Sequence, residues 1–329
     1  MKALVYTQPN EVTYRDEPEP RPAPGEVLIR VDAVGICGSD MHAYHGRDPR
    51  RNPPLILGHE LAGEILAGPG QGRRVTVNPL ITCGRCDYCV QGRDNLCSNR
   101  TMIGMTRPGG FAEYVTTAAA SVIELPDGMS ARAAALTEPA ATALHALNAA
   151  MRVAARPIQE SEVLVIGAGA VGLLTALLAR SYGCREVRLA ETNPLRRASA
   201  ERAGFTVLDP ARGGAAENSM DLVIDAVGAA ATRDAALAAV RPGGVIVHIG
   251  LADWASAIDM RKLTLAEITL IGTYTYTTAD LRATVRALHG GAFGDLAWVE
   301  ERPLAEGARA FRDLHDGTAA AAKILLRPR

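Results

Sequence analysis

The sequence has almost no surplus of charge of either sign: 35 lysines and arginines face 36 aspartates and glutamates, a formal net charge of −1 over 329 residues. A phosphate backbone or an anionic membrane surface attracts a protein through a basic surplus, so neither nucleic acid nor membrane is expected as a partner. Long apolar runs are missing too. The stretch from Val171 to Ala179 is short and interrupted by Thr175, against the roughly 18 apolar residues that a membrane-crossing helix needs. The opening residues turn polar after Tyr6, too early for the apolar centre of a secretory signal, and the expected location is the cytoplasm. No internal repeat and no low-complexity linker is found. Cysteine is scarce, six in all. In a reducing compartment such thiols serve as metal ligands or catalytic groups before they serve as disulfides.

Hydrophobic residues make up 48% and charged residues 22%, an ordinary globular balance. The length exceeds what one core usually serves, at about 150 residues per domain, and implies two domains. Up to about Asn148 the chain reads as short β-rich runs broken by turn residues, such as EVLIRVDAVGIC and LAGEIL. From Val163 it alternates apolar strands with helices of about ten to fifteen residues, the pattern of a parallel sheet covered on both faces. After about His289 come an amphipathic segment and a closing strand, AKILL. A lone strand and helix cannot bury themselves, so they are expected to complete the first domain. The expected division is 1–148 with 290–329 for one domain and 149–289 for the other.

Gly167, Gly169 and Gly172 form GxGxxG after the strand VLVI and before a helix that begins with Ala170 and Val171. Such glycines provide a tight turn, room for a pyrophosphate and close helix-to-strand packing. The next strand ends at Glu191, nineteen residues beyond Gly172, where a carboxylate accepts hydrogen bonds from adenosine ribose hydroxyls and repels the extra phosphate of NADP. NAD is the expected cofactor. Arg196 and Arg197, about one helical turn on, either bind a phosphate or contact ribose and solvent. Val227 and Ile249 follow later strands at their carboxyl ends, the crevice side of an open sheet. The adjoining His248 is read as packing or turn chemistry.

Cys83-x2-Cys86-x2-Cys89-x7-Cys97 places four thiolates on one polar loop with spacings short enough to wrap a single tetrahedral ion, a closed structural zinc site. Its loss is expected to unfold the loop without touching the chemistry. A second, dispersed set comprises Cys37 in GICGSDMH, His59 and Glu60 in LGHELAG, and Glu138 in LTEPAAT.

These motifs, with GGFAEY at Gly109 to Tyr114, stand in the order found in the zinc-dependent medium-chain dehydrogenase/reductase superfamily, which the chain resembles along nearly its whole length. Glu138-Pro139 is similar to the sorbitol, galactitol-phosphate and threonine dehydrogenase branch. The resemblance implies an α/β protein with a GroES-like, mostly β catalytic domain and a Rossmann dinucleotide-binding domain. It implies two zinc ions per chain. Cys37 and His59 become ligands of the catalytic one, with Glu60 or Glu138 binding it directly or through water. Asp40 becomes the carboxylate that orients the His59 ring. Ser39 is placed to take the substrate proton and His42 to pass it on; a plain turn hydroxyl is the alternative for Ser39. Thr142 is either packed against the nicotinamide or bonded back inside its own helix. Tyr44, His45, Arg47, Phe111 and Tyr276 are candidates for the substrate pocket, with core packing the stronger reading for Phe111. Two departures stand out: the turn from Gly70 to Arg74 is short, with Arg73 in place of the usual aspartate, and Thr275 stands where polyol-specific members carry arginine.

The expected activity is hydride transfer between NAD and a secondary alcohol, a polyol or another vicinally oxygenated small molecule, by a homo-oligomer, either dimer or tetramer. Two alternatives are a zinc-lacking quinone or enoyl reductase on the same fold and a non-catalytic nucleotide-sensing protein.

Overall fold

A computed structural model describes all 329 residues. In the first part, strand β1 (Glu26–Gly35) alternates as far as Ala33, with Val27, Ile29, Val31 and Ala33 all buried, the period of two expected of a strand with one face on a core. It runs antiparallel to β2 (Glu60–Ala67). After β1 the chain turns into the short helix α1 (Gly38–Tyr44). Cys37 caps that helix, and the Asp40 carboxylate accepts from the Cys37 N–H at 3.0 Å.

Helix α2 (Thr137–Met151) leads into the second part. There β3 (Glu162–Ile166), helix α3 (Ala170–Ser181), β4 (Glu186–Ala190), β5 (Thr206–Leu208), β6 (Met220–Asp225), β7 (Val240–His248) and β8 (Thr269–Gly272) build a parallel sheet in the order β5-β4-β3-β6-β7-β8. The order reverses between β3 and β6, and the crevice at such a switch point is where open α/β sheets bind ligands. Helix α3 is buried from Gly172 to Ala179, as an apolar helix wedged between a sheet and a second helix must be. Its tight entry depends on glycine: a Cβ on Gly172 would lie 1.8 Å from the Gly167 carbonyl oxygen.

The last strand of this sheet, β8, ends at Gly272. A short helix, Met260–Leu265, precedes it, and Thr275 adopts φ +47°, turning the chain so that Tyr276 enters the interior. Helix α4 (Thr278–His289) then packs beside α2.

The chain closes with β9 (Val299–Pro303), helix α5 (Gly307–His315) and β10 (Lys323–Arg327). The last strand lies antiparallel to β1, pairing Leu325 with Gly35 and Leu326 with Val34, and thereby reaches the strand end that feeds α1. Ala33, Ala62 and Leu325 share one apolar core with α2, α3 and the inner face of the parallel sheet. No helix is long and apolar enough to cross a membrane.

Candidate active site and metal centres

The Cys37 Sγ, a His59 ring nitrogen and a Glu60 carboxylate oxygen lie within 4.8 Å of one another. They meet because β1 and β2 are registered with Gly35 opposite Glu60, so the turn after β1 and the residues entering β2 face the same corner. Glycine at that register leaves room for the carboxylate: a Cβ on Gly35 would sit 2.0 Å from Glu60 Oε2 and displace it. The fourth candidate, Glu138 in the first turn of α2, is buried close by but stands outside that triplet. Its Oε1 accepts from the Tyr276 hydroxyl at 2.7 Å. Burial raises the Glu138 carboxyl above the usual carboxylate range; His59 opposes that rise and Glu60 adds to it.

Sequence reasoning missed two cations that organise this corner. Lys323 Nζ, buried in β10, donates to both oxygens of Glu60 at 2.7 and 2.6 Å and to the Ile36 carbonyl at 2.8 Å. Burial pulls the lysine pKa down, but Glu60 and Cys37 more than offset it, and the ammonium stays charged. Arg51 is buried as well. It donates to Ser39 Oγ at 3.1 Å, to the Gly104 carbonyl at 3.0 Å and to Asp48 at 2.5 Å. The signal for Lys323 was available: it is one of three lysines in the chain and stands inside an apolar strand, where a charge survives only if paired.

The donor set suits a divalent cation. Cys37 offers a sulfur, His59 a ring nitrogen and Glu60 a carboxylate oxygen, the donor types that bind zinc, in a largely buried space. Asp40 Oδ1 stands 3.5 Å from His59 Nδ1 and 3.9 Å from Arg51 Nη2, contacts too long for a full hydrogen bond, and neither Asp40 Oδ1 nor His59 Nδ1 has a hydrogen-bond partner. That carboxylate is aimed at the ring as one orienting a ligand would be.

The four-cysteine loop fits zinc by its edges. The sulfur separations are 3.5 Å for Cys86 and Cys89, 3.6 Å for Cys83 and Cys97, and 4.0 Å for Cys83 and Cys89. A tetrahedron with bonds of about 2.3 Å has edges of about 3.8 Å, whereas a disulfide needs about 2.05 Å. The Cys83 thiol is pulled down to about 6, chiefly by the backbone N–H groups of Arg85 and Cys86. The loop is less remote from the chemistry than its spacing implied. Asp94 accepts from the Thr278 N–H at 3.1 Å and from the Thr278 hydroxyl, and Asn95 donates to the Tyr274 carbonyl at 2.8 Å. The loop thus grips the segment that delivers Tyr276 to Glu138.

Ser39 is partly buried beside Cys37, His42 is half-buried on α1, and Thr142 lies partly buried one turn beyond Glu138. Of the five candidates for the pocket, three belong to the interior instead. Tyr44 and Phe111 both pack against Phe311, and Tyr276 is wholly buried on Glu138. Burying a large ring removes much apolar surface from water, and position near a ligand in sequence does not alter that. His45 bonds His315 at 2.9 Å, and Arg47 is exposed.

Across the fold, the N-terminus of α3 begins at Gly169, with no side chain capping it. A Cβ there would meet nothing within 4 Å, which leaves free space in front of unpaired backbone N–H groups, the arrangement that holds a phosphate. Glu191 Oε2 accepts from the Ala168 N–H at 2.9 Å and Oε1 from the Asn193 N–H at 2.8 Å. The acid therefore clasps the glycine turn while retaining acceptor capacity. Arg197 is taken up by the Glu191 and Thr192 carbonyls and by Asp209. Arg196 keeps a buried Nε without a partner. Val227 and Ile249 are tied by their N–H groups to Asp225 at the crevice edge.

Residues 23–127 match the family described as alcohol dehydrogenase GroES-like domain, and residues 170–290 match the zinc-binding dehydrogenase family. The chain is 33% identical to L-galactonate-5-dehydrogenase of Escherichia coli (strain K12), covering 94% of each protein. It is 36% identical to sorbitol dehydrogenase of Bacillus subtilis (strain 168), over 76% of this chain and 75% of that one. Among solved structures, a zinc-binding dehydrogenase from Sinorhizobium meliloti 1021 bound to NADP superposes with a TM-score of 0.89 at 30% identity, covering 99% of each chain.

Proposed function

We propose a specific reaction for this chain from the premise that it belongs to the zinc-dependent medium-chain dehydrogenase/reductase superfamily, in its sorbitol and threonine dehydrogenase-like branch, and is a zinc-dependent alcohol oxidoreductase. The reaction is transfer of hydride between NAD and a secondary alcohol of a polyol or another vicinally oxygenated molecule. The observation that carries it is the corner where donor atoms of Cys37, His59 and Glu60 converge within 4.8 Å of one another, with the buried Glu138 beside them.

When bound there, zinc supplies a Lewis acid that makes an alcohol proton easy to remove near neutral pH. Cys37 and His59 hold it, together with Glu60 or Glu138. Lys323 offsets the Glu60 charge and Tyr276 fixes one Glu138 oxygen, so the two carboxylates have different freedom. Asp40 orients the His59 ring. Ser39 accepts the substrate proton at Oγ, a hydroxyl already oriented by Arg51, and His42 carries it toward solvent. Burial lowers the His42 pKa; Asp48 opposes that, and Arg47, Arg51 and Arg50 add to the lowering. The ring is therefore free to receive a proton near pH 7. A carboxylate ligand is harder than a second thiolate and favours oxygen-rich substrates that present two adjacent donors. Thr142 completes the pocket for the reacting end.

NAD preference rests on the buried carboxylate of Glu191 at the adenosine end. Gly167, Gly169 and Gly172 with Ala170 and Val171 frame the pyrophosphate, and Arg196, Val227 and Ile249 border the same crevice. A second zinc in the four-cysteine loop is supported by its sulfur separations. A homo-oligomer is supported by the sheet edge at β8, where Leu270 and the nearby Leu265, Met260 and Trp254 are exposed, an apolar patch suited to self-pairing. Six unpaired thiols fit a reducing cytoplasm.

The test is elemental analysis together with NADH formation on a panel of vicinal polyols, hydroxy acids and primary alcohols. Two zinc ions per chain and NAD reduction by the polyols are expected. Zinc near zero, or a higher kcat/KM for ethanol than for every vicinal diol and polyol, refutes the reading.

A further inference from the structure

One short segment, Tyr274 to Thr278, is bound to both candidate metal centres. It joins β8, which ends at Gly272, to α4, which begins at Thr278, and has no regular structure of its own, so its shape depends on what holds it. The four-cysteine loop holds it at both ends. Asn95 donates to the Tyr274 carbonyl at 2.8 Å, and Asp94 accepts from the Thr278 N–H at 3.1 Å and from the Thr278 hydroxyl. Asn78 donates to that same hydroxyl at 3.0 Å. Arg100 adds a further tie: it donates to the Cys97 carbonyl at 2.6 Å, and its guanidinium lies 5.0 Å from the centre of the Tyr274 ring. Asp94 and Asn95 stand in a tight turn, Asp94–Leu96, that runs directly into Cys97. Whatever orders that thiol therefore orders the turn.

Tyr276 lies midway between the two pinned residues. It is wholly buried, and its hydroxyl gives the Glu138 carboxylate the single hydrogen bond that it receives, at 2.7 Å. The bend that sends the ring inward is at Thr275, φ +47°, a left-handed conformation that a β-branched residue keeps only when its surroundings impose it. The grip on Tyr274 and Thr278 is such an imposition. Releasing it lets Thr275 relax and re-aims the Tyr276 hydroxyl away from Glu138.

We propose that Asp94 and Asn95 are positioning residues for the reacting corner: by pinning Thr278 and Tyr274 they set the Tyr276 hydroxyl on Glu138, and order in the four-cysteine loop is thereby transmitted to metal binding beside Cys37 and His59. This rests on the zinc-dependent dehydrogenase reading and adds to it a coupling between two centres that stand apart in the motif order. Partners that orient a ligand carboxylate typically change metal affinity about 10- to 100-fold when removed, which sets the size of the effect.

The experiment is a double-mutant cycle on metal retention in the full chain. Zinc per chain is followed as a chelator is titrated in, and the step that belongs to the corner is the one that Cys37→Ser removes. Asp94→Ala should weaken that step about ten-fold or more while the step of the four cysteines stays in place. Asp94→Asn, which still offers an oxygen to the Thr278 N–H, should restore part of it. Tyr276→Phe should weaken the corner by a similar factor, and Asp94→Ala added to Tyr276→Phe should cost little more, because both changes act through one hydroxyl. Thr278→Val breaks the same link without altering the loop and should follow Asp94→Ala in both backgrounds; it decides the matter if Asp94→Ala also loosens the loop's own zinc. A corner step that Thr278→Val leaves unmoved, or losses that add in full on the Tyr276→Phe background, overturns this inference and leaves the dehydrogenase reading standing. An unaltered protein with no zinc step sensitive to Cys37→Ser overturns both.

Discussion

Replacing Lys323 by methionine keeps the length of the side chain and removes its charge. In the metal-free protein this strands the Glu60 carboxylate, which is fully buried and has both oxygens on that ammonium at 2.6 and 2.7 Å. It also leaves the Ile36 carbonyl without its 2.8 Å donor. Breaking a buried ion pair by deleting one partner costs about 3–5 kcal/mol. At about 2–4 °C per kcal/mol for a unit of 150–250 residues, that is a fall in melting temperature of order 10 °C. Zinc beside Glu60 provides the missing positive charge, so the loss should shrink when the metal is present. Changing Glu60→Gln in the same chain should recover part of the stability, because the stranded charge is then gone. Calorimetry with and without chelator measures all of these. The reasoning fails if metal-free Lys323→Met melts within about 1 kcal/mol of the unaltered protein, or if its loss is the same with zinc as without.

Cys37→Ser should abolish turnover with a modest change in melting temperature, whereas Cys86→Ser should lower the melting temperature and also loosen the grip of Asp94 on Thr278; equal effects of both on stability and activity would contradict separate metal sites. Glu191→Ala should narrow the preference for NAD over NADP by weakening NAD binding, read from kcat/KM with each cofactor, and a higher value with NADP in the unaltered enzyme would remove the premise. Asp280 is a pH probe. Burial raises its pKa, but hydrogen bonds from His145 and Thr277 overcome that and hold it at about 2, against 3.8 for the free side chain. A depressed carboxylate stabilises above its unfolded pKa, so Asp280→Asn should cost about 2 kcal/mol at neutral pH. That difference should fade as pH falls from about 4 to 2, and a deficit that persists at pH 2 in denaturation curves would refute the linkage.

Much of the site was legible in the sequence because its chemistry is local. Four thiols within fifteen residues can reach one ion whatever surrounds them, and GxGxxG makes its turn because no side chain fits, as the 1.8 Å approach at Gly172 shows. The strand and helix periods likewise exposed the parallel sheet, since a layer buried on both faces must be apolar throughout. Cys37 and His59 were found by motif, and the pairing of β1 with β2 brings them together. What tertiary structure alone decided were the partners. Lys323 lies 263 residues from Glu60, and Tyr276 lies 138 from Glu138. Arg51 reaches Ser39 across a loop that has no spacing rule. Tyr44 and Tyr276, read as pocket residues, went to the interior because burial of a large ring outweighs adjacency to a motif, whereas Phe111 lies in the core as its stronger reading had it. Local spacing selects ligands for an ion. The balance of charge in a buried corner is set by whichever distant strands the fold closes over it, and here the last strand of the chain supplies the cation that pairs with the buried Glu60 carboxylate.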